Sequence, residues 1–179
     1  MECARLAREI RDVALLRGQF VLRSGAISSV YWDKYRFESD PTLLVAIADA
    51  MRDILPDSFD RLAGLELGGI PLATALSIAT AKPCLYVRKA AKPYGTSNLV
   101  DGGFAPGERA VVVEDVVTSG GQIVTSVQQM RDLGLVVTDA ICVVDRQQGG
   151  AENLATIGCA LRSVFTMAEL ERLAHSGME

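Results

Sequence analysis

Histidine is almost absent from the chain, since its 179 residues include only His175, close to the C-terminal end. A Ser-His-Asp triad, an H-E-x-x-H zinc site and a histidine proton shuttle all need histidine among other reactive residues. The sequence therefore excludes these three kinds of site as the centre of its chemistry.

Paired cysteines are also absent, because Cys3, Cys84, Cys142 and Cys159 stand singly, without a C-x-x-C pair. This spacing favours small buried apolar residues in a reducing compartment over metal ligands or disulfides. The four cysteines indicate an intracellular protein.

Long apolar runs and excess positive charge are lacking too. Polar residues interrupt every apolar stretch well before the roughly 18 positions of a membrane span, and the N-terminal segment lacks the apolar centre of a signal peptide. A net charge of −4 gives no electrostatic support to nonspecific nucleic-acid binding. We expect a cytoplasmic protein that binds neither membranes nor nucleic acids.

Short continuous apolar runs that alternate with helical patterns dominate the rest of the chain. They predict five strands, near residues 62–65, 84–87, 110–113, 140–144 and 161–165. Such alternation is typical of an α/β domain with a central parallel sheet flanked by helices. Residues 1–179 are long enough for one such domain. Ligands then bind beyond the carboxyl ends of the strands, where the polar loops should converge.

Apolar residues at helical spacing predict two amphipathic helices. The first ends at Gly18, and its apolar face is Leu6, Ile10, Val13 and Leu16. Residues 19–37 then predict short strands around a turn at residues 23–25. The second stops at Gly134, and its apolar face is Ile123, Val127, Met130 and Leu133.

Two further helix starts carry capping signals. Asp40 and Pro41 are typical of a cap and a first helical residue, in a helix that runs to about Ile54. Thr166 and Glu169 have the spacing of a capping box before the final helix.

The segment T-S-G-G at residues 118–121 stands between a predicted strand and a predicted helix. Its backbone N–H groups could form an anion nest, to which the helix dipole adds partial positive charge. The sequence has neither the G-K-[ST] of a Walker loop nor the G-x-G-x-x-G of a dinucleotide site there. Gly-Gly turns are common, but this position between strand and helix favours a phosphate site.

Glu114 and Asp115 lie immediately before that segment, where they would repel a phosphate. They could be helix-capping or solvated acids. Alternatively, they accept hydrogen bonds from sugar hydroxyls beside a phosphate that the nest holds, as a pentose 5-phosphate would require. Carboxylates beside the ring could also stabilise positive charge at an anomeric carbon.

Two other loops carry cations. Arg88, Lys89 and Lys92 form either a solvated face or, with the glycine-rich residues that follow, a lid that clamps pyrophosphate. Arg146 follows the fourth strand, where it suits bidentate recognition of a planar carboxylate; the alternative is an ion pair with Asp145 or another acid.

Five ordered segments, between about residues 18 and 171, carry a family resemblance. V-V-V-E-D-V-V-T-S-G-G closely resembles the phosphoribosyl pyrophosphate (PRPP) motif of type I phosphoribosyltransferases. R-K-x-x-K-x-Y-G-T is similar to the catalytic lid of the orotate phosphoribosyltransferases, and residues 20–33 to their N-terminal hood. E-L-G-G-I-P resembles their pyrophosphate loop, and V-V-D-R-Q-Q-G-G the segment whose arginine meets orotate.

The resemblance implies a type I phosphoribosyltransferase fold, with residues about 1–37 contributing the hood over the base. It implies a Mg²⁺-dependent pentosyltransferase that converts orotate and PRPP to orotidine 5′-monophosphate and pyrophosphate, in UMP biosynthesis. Magnesium would be held mainly by PRPP. The lid, through Lys89, would reach the neighbouring subunit's site in a homodimer.

The site residues that the resemblance implies fall into four groups. Catalysis would involve Lys92, Asp115 and Arg88. PRPP would be bound by Arg88, Lys89, Lys92, Tyr94, Glu114, Asp115, Val116, Val117, Thr118, Ser119, Gly120, Gly121 and Gln122. The pyrophosphate loop would be Glu66, Leu67, Gly68 and Gly69, and orotate would contact Thr118, Arg146 and Arg23.

Tyr94 departs from the family pattern, because many orotate enzymes have a histidine there. Tyrosine donates a hydrogen bond but is a poor acid at neutral pH, since its reference pKa is about 10. Lid closure would then depend more on Lys92, Arg88 and the neighbour's Lys89. Two alternatives stay open: a phosphoribosyltransferase for another base, against which the hood and Arg146 argue, and a non-catalytic PRPP-sensing regulator of the same fold.

Overall fold

The structure, a computed structural model, describes residues 3–21, 25–90 and 99–175. The helices in these ranges are α1 (Cys3–Ala14), α2 (Tyr35–Glu38), α3 (Pro41–Arg52), α4 (Gly69–Thr80), α5 (Gly121–Asp132), α6 (Gly150–Ala155) and α7 (Met167–His175). The strands are β1 (Leu15–Val21), β2 (Ile27–Trp32), β3 (Arg61–Leu65), β4 (Cys84–Val87), β5 (Val100–Asp101), β6 (Arg109–Val117), β7 (Val136–Asp145) and β8 (Ala160–Thr166).

Six of these strands form one sheet in the order β5-β4-β3-β6-β7-β8. All neighbours are parallel except β4 and β5, which are antiparallel. The predicted parallel sheet is therefore confirmed, and all five predicted strands lie in it.

Helices cover both faces of the sheet, as the continuous apolar strands predicted. Val111 and Val113 belong to the core under α1, α3, α4 and α7, whereas Val112 belongs to the core under α5 and α6. This alternation follows from the two-residue period of a strand. Because all three side chains are almost fully buried, each contributes about 1.5–3 kcal/mol of hydrophobic stabilisation.

Both predicted helix starts are confirmed. Asp40 Oδ1 accepts hydrogen bonds from the Thr42 and Leu43 amides at 2.9 and 3.0 Å, ahead of Pro41. The capping box at α7 is reciprocal: Thr166 N donates to Glu169 Oε2 at 2.9 Å, and Glu169 N donates to Thr166 Oγ1 at 3.2 Å. An N-cap of this kind is worth about 1 kcal/mol.

The N-terminal helix ends at Ala14, so the prediction that it continues to Gly18 is wrong. Residues from Leu15 onward form β1, which pairs antiparallel with β2 as a separate two-stranded sheet. Cross-strand pairing thus overrides the helical spacing of Leu16. Residues 22–24 of the predicted turn lie outside the described residues, and Gly25 follows with φ of +84°.

The strand β6 also differs from the prediction, because it runs beyond residue 113 to Val117. The extra residues pair with β7, with Glu114 opposite Cys142 and Val117 opposite Asp145. Backbone pairing tolerates the two acids, which low strand propensity had placed in a loop. Glu114 and Asp115 therefore stand on a strand.

Smaller differences concern short elements and single residues. The sequence did not predict α2, α6 or β5, whose few residues show no clear periodicity. Leu133 lies beyond the end of α5 and is 46% exposed, so its assignment to the apolar face was wrong.

All four cysteines are free. Cys142 and Cys159 are buried and Cys84 is half-buried, as predicted for small apolar residues, whereas Cys3 is exposed. None of the helices described is both long and apolar enough to cross a membrane.

Candidate active site

The carboxyl ends of β3, β4, β6 and β7 bring four loops to one edge of the sheet. Backbone hydrogen bonds tie the loops to neighbouring strands: Glu66 N donates to Val87 O at 2.8 Å, and Arg146 N donates to Val117 O at 2.9 Å. The loops therefore converge, as expected for a parallel sheet.

The T-S-G-G segment forms the turn between β6 and α5. Gly120 has φ of +70°, a left-handed conformation that favours glycine, and no side chain caps the amides of the first turn of α5. A cavity of about 260 Å³ opens here; its lining consists of Glu114 and residues 116–123. Uncapped amides at a helix N-terminus suit an anion, so the nest that the sequence predicted has the geometry for phosphate.

The helix α6, which follows the loop after β7, packs against this turn. A Cβ at Gly150 would lie 2.5 Å from Val117 Cγ1 and 2.7 Å from Thr118 O, so only glycine allows this packing. Asn153 Nδ2 donates to Ser119 O at 2.9 Å. Sequence reasoning missed Asn153, because an asparagine in a short unpredicted helix gives no signal.

Asp115 is fully buried beneath the same turn and is paired with Lys34. Lys34 Nζ lies 2.9 Å from Asp115 Oδ1 and 2.6 Å from Oδ2. Burial alone would raise the pKa of Asp115, but hydrogen bonds with Glu114 and Glu38 and the charge of Lys34 lower it overall. Burial alone would lower the pKa of Lys34, but attraction to Asp115 raises it overall. The pair is therefore ionised.

Two further carboxyl groups surround this pair. Burial, a hydrogen bond with Asp115 and the negative charge of Asp115 raise the pKa of Glu38 to about 9. Glu114 lines the cavity, and its pKa is raised well above the usual value by burial and by the charge of Asp115. Because Glu38 is protonated at neutral pH, it can donate a hydrogen bond to Asp115, which keeps the negative charge.

The predicted pyrophosphate loop packs directly on these acids. A Cβ at Gly68 would lie 1.7 Å from Asp115 Oδ2 and 2.9 Å from Glu38 Oε1, and one at Gly69 would lie 2.1 Å from Val113 O. Both positions therefore require glycine.

The first two residues of this loop have other contacts. Glu66 Oε2 accepts a hydrogen bond from the Lys89 amide at 3.0 Å. The Glu66–Leu67 peptide bond is cis, and the Leu67 side chain is exposed.

The predicted cations have different surroundings. Arg88 Nε lies 2.7 Å from Asp101 Oδ2, so part of its charge is already compensated, whereas Lys89 is exposed. Lys92, Tyr94 and Arg23 lie outside the described residues. The lid and the Arg23 contact with orotate therefore stay predictions.

Arg146 lies beside the nest with its guanidinium exposed. Among the described residues this guanidinium has no hydrogen bond or ion pair, and Asp145 Oδ1 instead accepts the Gln147 amide at 2.8 Å. The alternative of an ion pair with Asp145 is therefore wrong. A guanidinium held by its backbone at Val117 remains open to a ligand carboxylate.

Lys34 and Glu38 were missed by sequence reasoning, although both act on the buried Asp115 carboxylate. They belong to the segment D-K-Y-R-F-E, whose first five residues were assigned to the predicted short strands of residues 19–37. That assignment is wrong for its end, because Tyr35–Glu38 form α2. The Lys34–Asp115 contact joins residues 81 positions apart. No local spacing could have found it.

Curated proteins and solved structures that are similar to this chain include orotate phosphoribosyltransferases. No family model matches the chain. It is 45% identical over 174 residues to an orotate phosphoribosyltransferase of Nocardioides sp., covering 97% of each chain. The crystal structure of orotate phosphoribosyltransferase from Aeropyrum pernix is similar, with a TM-score of 0.83 and 36% identity over 96% of this chain and 99% of that one.

A structure with bound ligand is also similar to this chain. Orotate phosphoribosyltransferase of Mycobacterium tuberculosis in complex with 5-phospho-α-D-ribosyl 1-diphosphate, which is PRPP, has a TM-score of 0.81 and 32% identity. The match covers 94% of this chain and 98% of that one. The similarity therefore extends over nearly the whole length of both proteins.

Proposed function

Since the chain belongs to the orotate phosphoribosyltransferase family, we propose that it transfers the 5-phosphoribosyl group of PRPP to orotate. The products are orotidine 5′-monophosphate and pyrophosphate, and the reaction serves pyrimidine (UMP) biosynthesis. The observation that carries the proposal is the backbone bond between Arg146 and Val117, which sets a free guanidinium beside the anion nest. The guanidinium suits the carboxylate of orotate, and the nest suits the 5-phosphate of PRPP.

PRPP binds with its 5-phosphate in the nest of residues 118–122 and its ribose beside Glu114 and Asp115. Support for this orientation comes from Glu114, which lines the same cavity as the nest. The ionised Asp115 lies directly behind and supplies negative charge as the anomeric carbon becomes positive. Val116 and Val117 provide the backbone between the two halves of this site.

The pyrophosphate group lies against the loop of Glu66, Leu67, Gly68 and Gly69. The glycines support this assignment, because they let the loop backbone pack directly against Asp115 and Val113 of β6, next to the proposed ribose position. Arg88 and Lys92, with Lys89 of the neighbouring subunit, neutralise the departing group, and Tyr94 of the lid donates a hydrogen bond to it.

Magnesium enters this proposal as an ion carried by PRPP. The described residues contain no group of three or more His, Cys, Asp or Glu side chains arranged for a metal, and Mg²⁺ prefers to bind through substrate phosphates. When bound, it neutralises charge on the pyrophosphate leaving group. The chain's own residues orient the ligand and hold charge.

Orotate lies between Arg146 and Thr118, with Arg23 of the hood as a further contact. The rigid fork of Arg146 fixes the planar base through its carboxylate, so its attacking nitrogen faces the anomeric carbon. Positioning and electrostatic stabilisation then supply most of the rate.

The proposed activity is tested with PRPP, Mg²⁺ and a panel of orotate, uracil, adenine and xanthine. Consumption of orotate with release of pyrophosphate is expected, and the other bases should give little or none. Turnover of a purine without turnover of orotate would contradict the proposal. Binding of PRPP without turnover of any base would favour the regulator instead.

We also propose a homodimer in which Lys89 of one subunit reaches the site of the other. The exposed Lys89 side chain supports this. Equal mixing of Lys89→Ala and Asp115→Asn subunits, each inactive alone, should restore about a quarter of the wild-type activity, since half of the dimers then hold one intact site. No recovery would contradict the shared site.

We propose a cytoplasmic location as well, which the four free cysteines support.

A further inference from the structure

Asp115 is held by Lys34, a residue to which the proposed function gives no role. Lys34 follows β2, the second strand of the hairpin, and its ammonium group contacts both carboxylate oxygens of Asp115 at 2.9 and 2.6 Å. The Asp115 side chain is 0% exposed and that of Lys34 is 33% exposed. The ion pair therefore links the hairpin to the ribose side of the site.

The surroundings of Asp115 leave its charge dependent on Lys34. The other groups that act on it are carboxyls, Glu38 on α2 and Glu114 on β6, and the buried Cys142 thiol lies on the neighbouring β7. Among the described residues, Lys34 makes the only ion pair with Asp115. Removing one partner of a buried ion pair leaves an uncompensated charge, which is strongly unfavourable.

The position of this carboxylate also determines the space for the pyrophosphate loop. Asp115 Oδ2 lies so close to Gly68 that a Cβ there would be only 1.7 Å away. A carboxylate that turned away from Lys34 would change its contact with the loop backbone. Lys34 therefore affects both the ribose and the pyrophosphate ends of the ligand through one side chain.

We propose that Lys34 is a positioning residue for PRPP, which acts by holding the Asp115 carboxylate ionised and fixed against the pyrophosphate loop at Gly68. This inference rests on the proposed function, because it assumes that PRPP binds with its ribose in front of the buried Asp115 carboxylate. Lys34 itself touches no substrate. Its effect on orotate is indirect and small.

Kinetics of Lys34→Met and Lys34→Arg test the proposal. Methionine keeps much of the side-chain length without the charge, so the KM for PRPP should rise at least about tenfold, equivalent to about 1.4 kcal/mol. The KM for orotate should stay within about twofold, and arginine should restore most of the PRPP affinity. An unchanged KM for PRPP in Lys34→Met, or an equal loss in both variants, would overturn the proposal.

Calorimetric titration of PRPP without orotate separates this inference from the proposed function. Weaker PRPP binding by Lys34→Met is expected. The matched variant Lys82→Met should bind as wild type does, because the Lys82 ammonium lies over the Phe59 ring, 5.5 Å from its centroid, and contacts no described residue of the proposed site. If wild type binds PRPP but consumes no orotate, the proposed function fails and the titration still tests Lys34. Equal PRPP affinity in wild type and Lys34→Met overturns the inference whichever base is accepted.

A double-mutant cycle covers the case in which Lys34→Met alone does not fold. With Asp115→Asn no buried charge needs compensation, so the double variant should fold. Adding Lys34→Met should then change PRPP affinity less than about twofold, because coupled residues are non-additive. A further loss of tenfold in this background would show that Lys34 does not act through Asp115.

Discussion

Replacing Glu38 by glutamine should raise the stability of the protein relative to wild type as the pH rises from 5 to 8. Glu38 is buried against Asp115, and its pKa is raised from 4.5 to about 9. The folded state therefore binds the Glu38 proton more strongly than the unfolded state between these two values. Stability falls as pH rises wherever the folded state holds the extra proton. Glutamine does not titrate, yet its amide can still donate a hydrogen bond to Asp115.

The size of the effect follows from the range of pH. One pKa unit corresponds to about 1.4 kcal/mol, so the cost of the carboxyl could grow by at most about 4 kcal/mol between pH 5 and pH 8. Glu114 and Asp115 titrate together with Glu38 and share this cost. We expect the free energy of unfolding of Glu38→Gln, relative to wild type, to rise by about 2 kcal/mol over that range.

Urea unfolding of both proteins at pH 5, 6, 7 and 8 measures this difference. Glu171→Gln is the matched control, because Glu171 is exposed on α7 and its replacement should leave the difference constant. A constant difference for Glu38→Gln across the four pH values would refute the reasoning. It would mean that the buried carboxyl is either ionised throughout or equally protonated in the unfolded chain.

Three other substitutions test separate parts of the site. Gly68→Ala should cost about 1–3 kcal/mol of stability by overpacking and weaken PRPP binding, because its Cβ would lie 1.7 Å from Asp115 Oδ2. The control Gly103→Ala, with no atom within 4 Å of its Cβ, should unfold like wild type. Equal denaturation midpoints for the two variants would contradict the packing. Arg146→Ala should raise the KM for orotate about 10–100-fold, the loss of a charged hydrogen bond, and an unchanged KM would remove Arg146 from base recognition. Lys92→Ala should lower kcat about a hundredfold with an unchanged circular dichroism spectrum, and wild-type kcat would remove the lid from the mechanism.

Features encoded by neighbouring residues were predictable from the sequence. The apolar runs gave all five predicted strands, because a strand buried on both faces needs continuous apolar residues. The Asp40 cap and the Thr166–Glu169 box were also predictable, since each joins residues only two or three positions apart. The glycine turn at Gly120 belongs to the same class.

Features that depend on distant residues were not predictable. The Lys34–Asp115 pair joins the hairpin to the sheet, and neither residue identifies the other. The end of α1 at Ala14 depends on the pairing of β1 with β2, which overrides the helical spacing of Leu16. The pKa of Glu38 arises only once burial brings it beside Asp115.

The extension of β6 through Val117 has a consequence for how this site could change during evolution or design. Glu114 and Asp115 are fixed by the sheet, whereas Arg146 stands in the loop after β7. A loop can be exchanged or lengthened without altering the register of β6 with its neighbours. If these residues have the proposed roles, a different base should be accommodated through the loop around Arg146, while the ribose contacts on the strand stay unchanged.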